Sequence, residues 1–511
     1  MLSRLSRTAL LRVEAWFNAV FGNNNPLYYL GSLGIYFFYI MVVSGIYLFI
    51  YYEPTVAGTY DELRYLTREQ WYLGGVMRSL HRYAADGMVL VMVLHILREL
   101  VMGRYRGARW FSWVTGVPVL VMVYLTGIEG FWLPWDKLAQ FLVIRTAEWL
   151  DWLNISNSAM ARNFLTETDM SDIFFRMLII IHISLPIFLQ AFLLLHLKKV
   201  SQARILPPRI LALGTLAALV VLALVFPAVS HERADLSLVP DILSLDWFYM
   251  FFYPLMESWS MGGVWLLVVG SLVLLTLLPW LPPKKAEDVA EVSLDNCNGC
   301  GYCAEDCPFE AIVMRPRSDD LPHPREAVVI ADNCVNCGIC VGACPSSMAF
   351  RSVQVLKTGI DLPQRDVHHL LEATCEALAG LTGPAPRILV YGCDHGVDVS
   401  QLSQSDTATL SLPCIGALPP SFIHYALRHG ADGVLLTACR DGDCYHRFGD
   451  VWMRERLDGE RRPFLRRSVD KSRIDFCWAA PPDQQRLRQA LAALRQTLRE
   501  SPSEQDEFLD V

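Results

Sequence analysis

The chain has no cysteine before Cys297, although it carries 14 of them in 511 residues. Any cysteine chemistry is therefore confined to the second part. There the Cys-x-x-Cys spacing reads as metal ligation rather than disulfides, which assigns that part to a reducing compartment. No Gly-x-Gly-x-x-Gly opens a strand–helix unit, so NADH, FAD or a metal active site must belong to another subunit. A basic excess is missing too: the net charge of −8 argues against nucleic acid as a partner. The first fifteen residues hold Arg4, Arg7 and Arg12 but lack an apolar core and a cleavage site. They read as an uncleaved amphipathic helix lying on a surface.

What is abundant is apolar sequence: 53% of residues are hydrophobic, and the excess lies before Pro282. Runs of about twenty apolar residues match the thickness of a bilayer. Six spans are expected, near 30–50, 76–98, 113–133, 173–197, 209–228 and 261–281. Arg98, Arg104, Arg106 and Arg109 follow the second span, Lys198, Lys199, Arg204 and Arg209 the fourth, and Lys284 and Lys285 the sixth. Positive loops stay in the cytoplasm. Both termini and the cysteine-rich part are thus expected there, with 134–172 and 229–260 on the far side. Trp71, Trp132, Trp135, Trp149 and Trp152 fit an interfacial aromatic belt.

Histidines punctuate two of the spans. His81 and His95 are fourteen residues apart, and so are His182 and His196. Fourteen helical residues rise about 21 Å and return to within about 40° of the starting direction. Each helix therefore offers two imidazoles on one face at two depths, a pattern suited to bis-histidine haem ligation. Isolated histidines that only bond neighbouring helices are the bland alternative, and the repeated spacing argues against it. Gly31 and Gly45 repeat the interval in the first span, Gly116 and Gly130 in the third. Glycine lets backbone approach a flat macrocycle. Arg78 and Arg98 flank the histidines and can meet haem propionates; Arg98 equally serves the positive-inside pattern.

The segments "RSLHRYAADGMVLVMVLHILREL", "WVTGVPVLVMVYLTGIEGFWLPWDKL" and "HISLPIFLQAFLLLH" resemble the cytochrome b of bc-type respiratory and photosynthetic complexes, over about residues 10–200. The resemblance implies one haem between His81 and His182 on the outer side, with Arg78, Gly45 and Gly130. It implies a second between His95 and His196 on the cytoplasmic side, with Arg98, Gly31 and Gly116. Tyr29 stands where the photosynthetic branch has a haem-binding cysteine, so no covalent haem is expected. "SLDWFYMFFYPLM" looks like a drifted copy of that family's Pro-Glu-Trp-Tyr quinol motif. Asp246 would then accept a quinol proton; the alternative is a loop aspartate capping the next helix. Asp86 and Glu129 depart from the family pattern. Ionised carboxylates in a span cost roughly 2.5–3.5 kcal/mol near its centre, so they are usually functional or paired. A proton-pathway role is the hypothesis for both, with pairing to Arg82 the alternative for Asp86. The histidine motifs of a Rieske protein are missing, so this is not a complete bc-type chain.

"CNGCGYCAEDCP" and "CVNCGICVGACP" repeat the bacterial two-cluster ferredoxin pattern, in which the fourth cysteine of each run crosses to the other cluster. One [4Fe-4S] cluster is expected on Cys297, Cys300, Cys303 and Cys344, the other on Cys334, Cys337, Cys340 and Cys307. The spacing disfavours zinc. "RPRSDDLPHP" reads as an exposed loop. Further on, Cys393, Cys414, Cys439 and Cys444 follow short apolar runs such as "RILVY" and "GVLLTA", so strand ends can converge on one four-thiolate site. Spacing alone leaves [2Fe-2S] and zinc open. The segment "LPCIGALPPSFIHYALRHGADGVLLTACRDGDCYH" resembles the delta subunit of methyl-viologen-reducing hydrogenases, which implies [2Fe-2S]. Cys375 and Cys477 are expected to be buried free thiols.

The expected fold is a mostly α membrane bundle of about six transmembrane helices with a di-haem four-helix core, followed by a cytoplasmic ferredoxin-like module and a small α/β domain. Its parts are 1–208, the further spans 209–285, the ferredoxin module 291–352, a connector 353–385 and the α/β domain 386–511, with a mobile acidic tail after Ser501. The expected function is the membrane subunit of a quinone oxidoreductase in a bacterial inner membrane. Electrons would pass between a cytoplasmic partner and membrane quinone through one [2Fe-2S], two [4Fe-4S] and two b haems. The partner would be a flavoprotein of heterodisulfide-reductase type, or a dehydrogenase or hydrogenase. Family analogy suggests a homodimer. Two rivals are a membrane anchor that recruits a soluble redox enzyme and thiol or heterodisulfide chemistry at the C-terminal cysteines.

Overall fold

A computed structural model describes residues 2–155, 159–164, 171–198, 204–239, 242–282 and 288–500. The chain divides into two compact units, one within residues 1–283 and the other holding 284–511. The acidic tail, Lys199, Lys284 and Lys285 lie outside the described residues.

The first unit is helical. Each expected span has a helix: Leu30–Tyr51, Val76–Val101, Trp110–Gly130, Asp172–Lys198, Arg209–Val225 and Met261–Leu277. Among the described residues, four stretches are long and apolar enough to cross a membrane: Leu30–Tyr51, Gly107–Gly130, Asp172–Lys198 and Met261–Trp280. Arg209–Val225 is apolar but shorter, and Val76–Val101 carries Arg78, Arg82, Asp86, Arg98 and Glu99. The first and second of the six pack along their length, as do the third and fourth. Gly87 makes the first contact possible, because a Cβ there would sit 2.8 Å from the Phe37 ring. The helix Leu2–Phe21 is tied to the second span by Glu14, which is fully buried and receives the Arg98 Nε at 2.6 Å. Two of the expected belt tryptophans are exposed, Trp71 and Trp152. Trp135 is buried against Phe175, and Trp149 stacks on Trp265 at 4.1 Å, because the helix Lys137–Asp151 folds back onto the bundle.

The second unit begins with the cysteine repeat. In "CNGCG" and "CVNCG" the same two positions take positive φ: Gly299 and Gly301 in one copy, Asn336 and Gly338 in the other. Glycine and asparagine tolerate that conformation, which turns the chain tightly around each cysteine group. A hairpin, Ile312–Pro316 with Arg325–Val329, links the copies. Its tip is largely exposed, as "RPRSDDLPHP" suggested, but Arg317 turns inward and donates to the Cys297 and Leu294 carbonyls, each at 2.6 Å. The segment 353–385 contributes structure: Ile360–Asp361 pairs with Glu291–Val292, and Val367–Ala379 is a helix.

Four parallel strands complete the unit. Ile388–Cys393 lies between Thr407–Leu412 and Gly433–Ala438, and Ile474–Trp478 forms the far edge. The two central strands are buried along their whole length, which is why they read as continuous apolar runs. The helix Gln484–Glu500 covers one face through Leu487, Leu491 and Leu494.

Candidate functional site

The histidine ladder converges. The imidazoles of His81 and His182 face each other with ring centroids 6.3 Å apart. A metal–imidazole bond of about 2 Å plus a ring radius of roughly 1.1 Å, counted on both sides, gives about 6.2 Å. The gap is thus the right width for one metal ion held by both rings. All four glycines face a histidine. A Cβ would lie 3.1 Å from His81 Cε1 at Gly45, 3.1 Å from His182 Cε1 at Gly130, 3.4 Å from His196 Cε1 at Gly116 and 3.9 Å from His95 Cε1 at Gly31.

The second ring nitrogen is held as well. His81 Nδ1 lies 3.0 Å from the Met41 carbonyl and 3.1 Å from Ser44 Oγ. His196 Nδ1 lies 3.3 Å from Thr115 Oγ1. A carbonyl on Nδ1 places the proton there and leaves Nε2 free to bind metal. Sequence reading missed these partners, yet the signal was present. The residue before three of the four glycines is polar: Ser44, Thr115 and Glu129.

A cavity of about 1000 Å³ opens at the His81–His182 level and reaches Arg78, Arg82, Asp136 and Asp246. Arg78 is anchored by Thr67 Oγ1 and Ser230 Oγ, both at 2.6 Å. Arg82 pairs with both Asp86 and Asp246. Asp246 also accepts from the Phe248 and Tyr249 amides at 2.7 and 2.9 Å, so it caps a turn and is an ion-pair partner at once, while the next helix starts only at Tyr253. Asp86 has the Arg82 pairing as well. Arg98 points to Glu14 and Glu99. Glu129 is 6% exposed and belongs to the His182 side of the site.

The cysteines fall into three groups. One small cavity is lined by Cys297, Cys300, Cys303 and Cys344. Another is lined by Cys307, Cys334, Cys337 and Cys340. These are the crossed sets that the repeat implies. Burial, reinforced by neighbouring thiols, pushes Cys303 and Cys337 up to about 12. In the parallel sheet, Cys393 ends one strand, while Cys414 and Cys439 follow two others at their carboxyl ends, where open α/β sheets place ligands. Cys393 Sγ lies 3.7 Å from Cys439 Sγ; Cys414 contacts Cys393 and Cys444, and Cys444 contacts Cys439. All four are buried. Hydrogen bonds from Cys414 and Cys439 hold Cys393 well below the usual thiol range. A closed ring of four buried thiols is a donor set for a metal centre.

The second ferredoxin group and the sheet group adjoin. Cys337, Ile339, Cys414 and Trp452 form one buried cluster. Close approach rests on glycines: a Cβ on Gly342 would meet the Gly416 carbonyl at 2.2 Å, and one on Gly449 would meet Cys414 Sγ at 2.2 Å. Of the two remaining cysteines, Cys477 is buried as expected. Cys375 is exposed instead, on the outer side of the helix Val367–Ala379.

Three family models match in series. Residues 19–203 match "Cytochrome b/b6/petB", 296–348 match "4Fe-4S dicluster domain", and 385–501 match "Methyl-viologen-reducing hydrogenase, delta subunit". Cytochrome b6 of Synechococcus sp. (strain WH7803) and of Synechococcus sp. (strain CC9311) are each 36% identical over 119 residues, 23% of this chain and 54% of theirs. The chain thus spans about half the length of these relatives. A solved structure described as "Hyperthermophilic respiratory Complex III" is similar with a TM-score of 0.43 and 21% identity, over 50% of this chain and 75% of that one.

Proposed function

We propose, for a chain that joins cytochrome b, dicluster ferredoxin and hydrogenase-delta matches in series, that it is the membrane subunit of a quinone oxidoreductase. The first match implies b-type haem and the second implies iron–sulfur clusters. With its apolar helices, the first also makes the chain a multi-pass membrane protein. The observation that carries the reading is the facing of His81 and His182 across 6.3 Å with a glycine against each ring. Haems and clusters supply one-electron transfer when bound.

In this reading His81 and His182 hold the outer haem, and His95 and His196 the cytoplasmic one. Gly45 and Gly130, and Gly31 and Gly116, provide clearance. Arg78, which lines the outer cavity, stands at the propionate end of the outer haem, whereas Arg98 is held by Glu14 and Glu99. Cys297, Cys300, Cys303 and Cys344 hold one [4Fe-4S]; Cys334, Cys337, Cys340 and Cys307 hold the other. Cys393, Cys414, Cys439 and Cys444 hold [2Fe-2S]. Asp246 in the outer cavity, linked through Arg82 to Asp86, handles quinone protons. The C-terminal unit faces the cytoplasm of a bacterium and docks a flavoprotein of heterodisulfide-reductase type, a dehydrogenase or a hydrogenase. The subunit pairs as a homodimer.

The test is haem, iron and sulfide analysis of the purified chain, with stopped-flow reduction of its haems by the flavoprotein or dehydrogenase that co-purifies. Two haems reduced within milliseconds are expected. Haems that the partner does not reduce would leave only a membrane anchor. Spectroscopy that places zinc, or free thiols, at the four sheet cysteines would remove the [2Fe-2S] assignment. Quinone reduction at the outer cavity by a cytoplasmic donor draws on the membrane potential, so an uncoupler should collapse it. Unchanged turnover would rule out transmembrane flow in that direction.

A further inference from the structure

The histidine His182 differs from His81 and His196. At His81 the Nδ1 atom meets the Met41 carbonyl and the Ser44 hydroxyl, and at His196 it lies 3.3 Å from the Thr115 hydroxyl, each hydroxyl belonging to the residue before the facing glycine. At His182 the residue before the facing glycine is Glu129, whose Oε2 lies 3.9 Å from His182 Nδ1. Among the described residues, that Nδ1 and both Glu129 carboxylate oxygens are buried with no hydrogen-bond partner. Glu129 is 6% exposed. Leaving a carboxylate in such a place without a partner is costly.

The two unpartnered groups complement each other. When Nε2 of a neutral imidazole binds a metal, the ring proton is on Nδ1 and needs an acceptor. The Glu129 carboxylate stands where Ser44 and Thr115 stand in the other two sites, and a small side-chain adjustment brings it within hydrogen-bond reach. We propose that Glu129 is a positioning residue for the outer metal centre: it accepts the Nδ1–H of His182 and sets the electron-donating strength that this histidine would bring to the metal. The proposal rests on the haem reading of the His81–His182 pair.

A carboxylate acceptor makes the imidazole a stronger donor than a carbonyl or hydroxyl does, because it adds a negative charge to the hydrogen bond. This favours the oxidised metal and lowers its potential. One haem of the two should therefore be more reducing, on account of a residue that touches only its ligand.

The experiment is a redox titration of the purified full-length protein in detergent, followed by optical and paramagnetic resonance spectra of both haems. The haem whose signals vanish in His182→Ala is the one to follow. In Glu129→Gln its midpoint should rise and its ferric spectrum shift, while the other haem stays where it was; Glu129→Asp should restore much of the native value. Unchanged midpoints for both haems, or an equal shift of both, would overturn the proposal. Pulsed resonance on the native protein gives an answer even if Glu129→Gln fails to retain haem. It should show a stronger Nδ1 hydrogen bond at one haem than at the other, and indistinguishable bonds would count against it. A preparation with no haem refutes the proposed function instead.

Discussion

A single Cβ atom decides the most at the positions where glycine faces a ring or a sulfur. At Gly45 it would come within 3.1 Å of His81, and a valine there would add two methyls in the space a macrocycle needs. Gly45→Val is expected to leave one haem per chain rather than two, read by a haemochrome assay and by the reduced-minus-oxidised spectrum. Gly449→Ala is harsher in geometry, since the new Cβ would sit 2.2 Å from Cys414 Sγ. It should abolish the signal of the four-thiolate centre and spare both ferredoxin clusters, which paramagnetic resonance of the reduced protein distinguishes. Asp246 illustrates a residue with two jobs: it pairs with Arg82 and caps the turn at Phe248 and Tyr249. The contacts show the ion pair and the turn cap; a proton role would appear as a loss of quinone turnover in Asp246→Asn, and unchanged turnover would leave the residue structural only.

At the scale of elements, the cysteine repeat shows how a local pattern implies a non-local result. Each run supplies three cysteines to its own cavity and one to the other. Cys344→Ser should therefore remove the cluster of the first run although it lies in the second, and leave the Cys334 group loaded with iron. Resonance spectra and iron content check this. The helix Val367–Ala379 offers a simpler test. Cys375 is exposed on it, whereas burial raises the Cys477 thiol above its ordinary range. A maleimide should label Cys375 in the native holoprotein and reach Cys477 only after unfolding, as read by peptide mass analysis.

For the molecule as a whole, the informative contact joins the ferredoxin repeat to the parallel sheet domain. Arg456 is fully buried, pairs with Asp306, and donates to the Gly416 carbonyl at 2.8 Å; Arg461 reaches the same aspartate at 2.7 Å. Removing one partner of a buried pair leaves an uncompensated charge and costs about 3–5 kcal/mol. Asp306→Asn should therefore lower the temperature at which the iron–sulfur absorbance of the intact protein bleaches. It should also weaken magnetic coupling between the second ferredoxin cluster and the sheet centre. If bleaching and coupling both match the native protein, the interface is not what holds the two groups together.

Much of this was legible without coordinates, because it rests on spacing. Fourteen residues in a helix, or three cysteines two residues apart, constrain direction and distance through backbone geometry alone. The histidines and glycines could be named for that reason, while the crossed ferredoxin sets were named from the family pattern they repeat, and the strand-end cysteines from the apolar runs they follow and the family pattern they resemble. The sequence by itself thus determined which residue types recur on which face. Only the tertiary structure decided what each one meets: Arg98 turned to Glu14, Trp135 buried by a folded-back helix, Cys375 exposed, Ile339 packed between two cysteine groups, Glu129 aimed at His182. These depend on contacts between residues far apart in the chain, where no period links the partners and only packing chooses them.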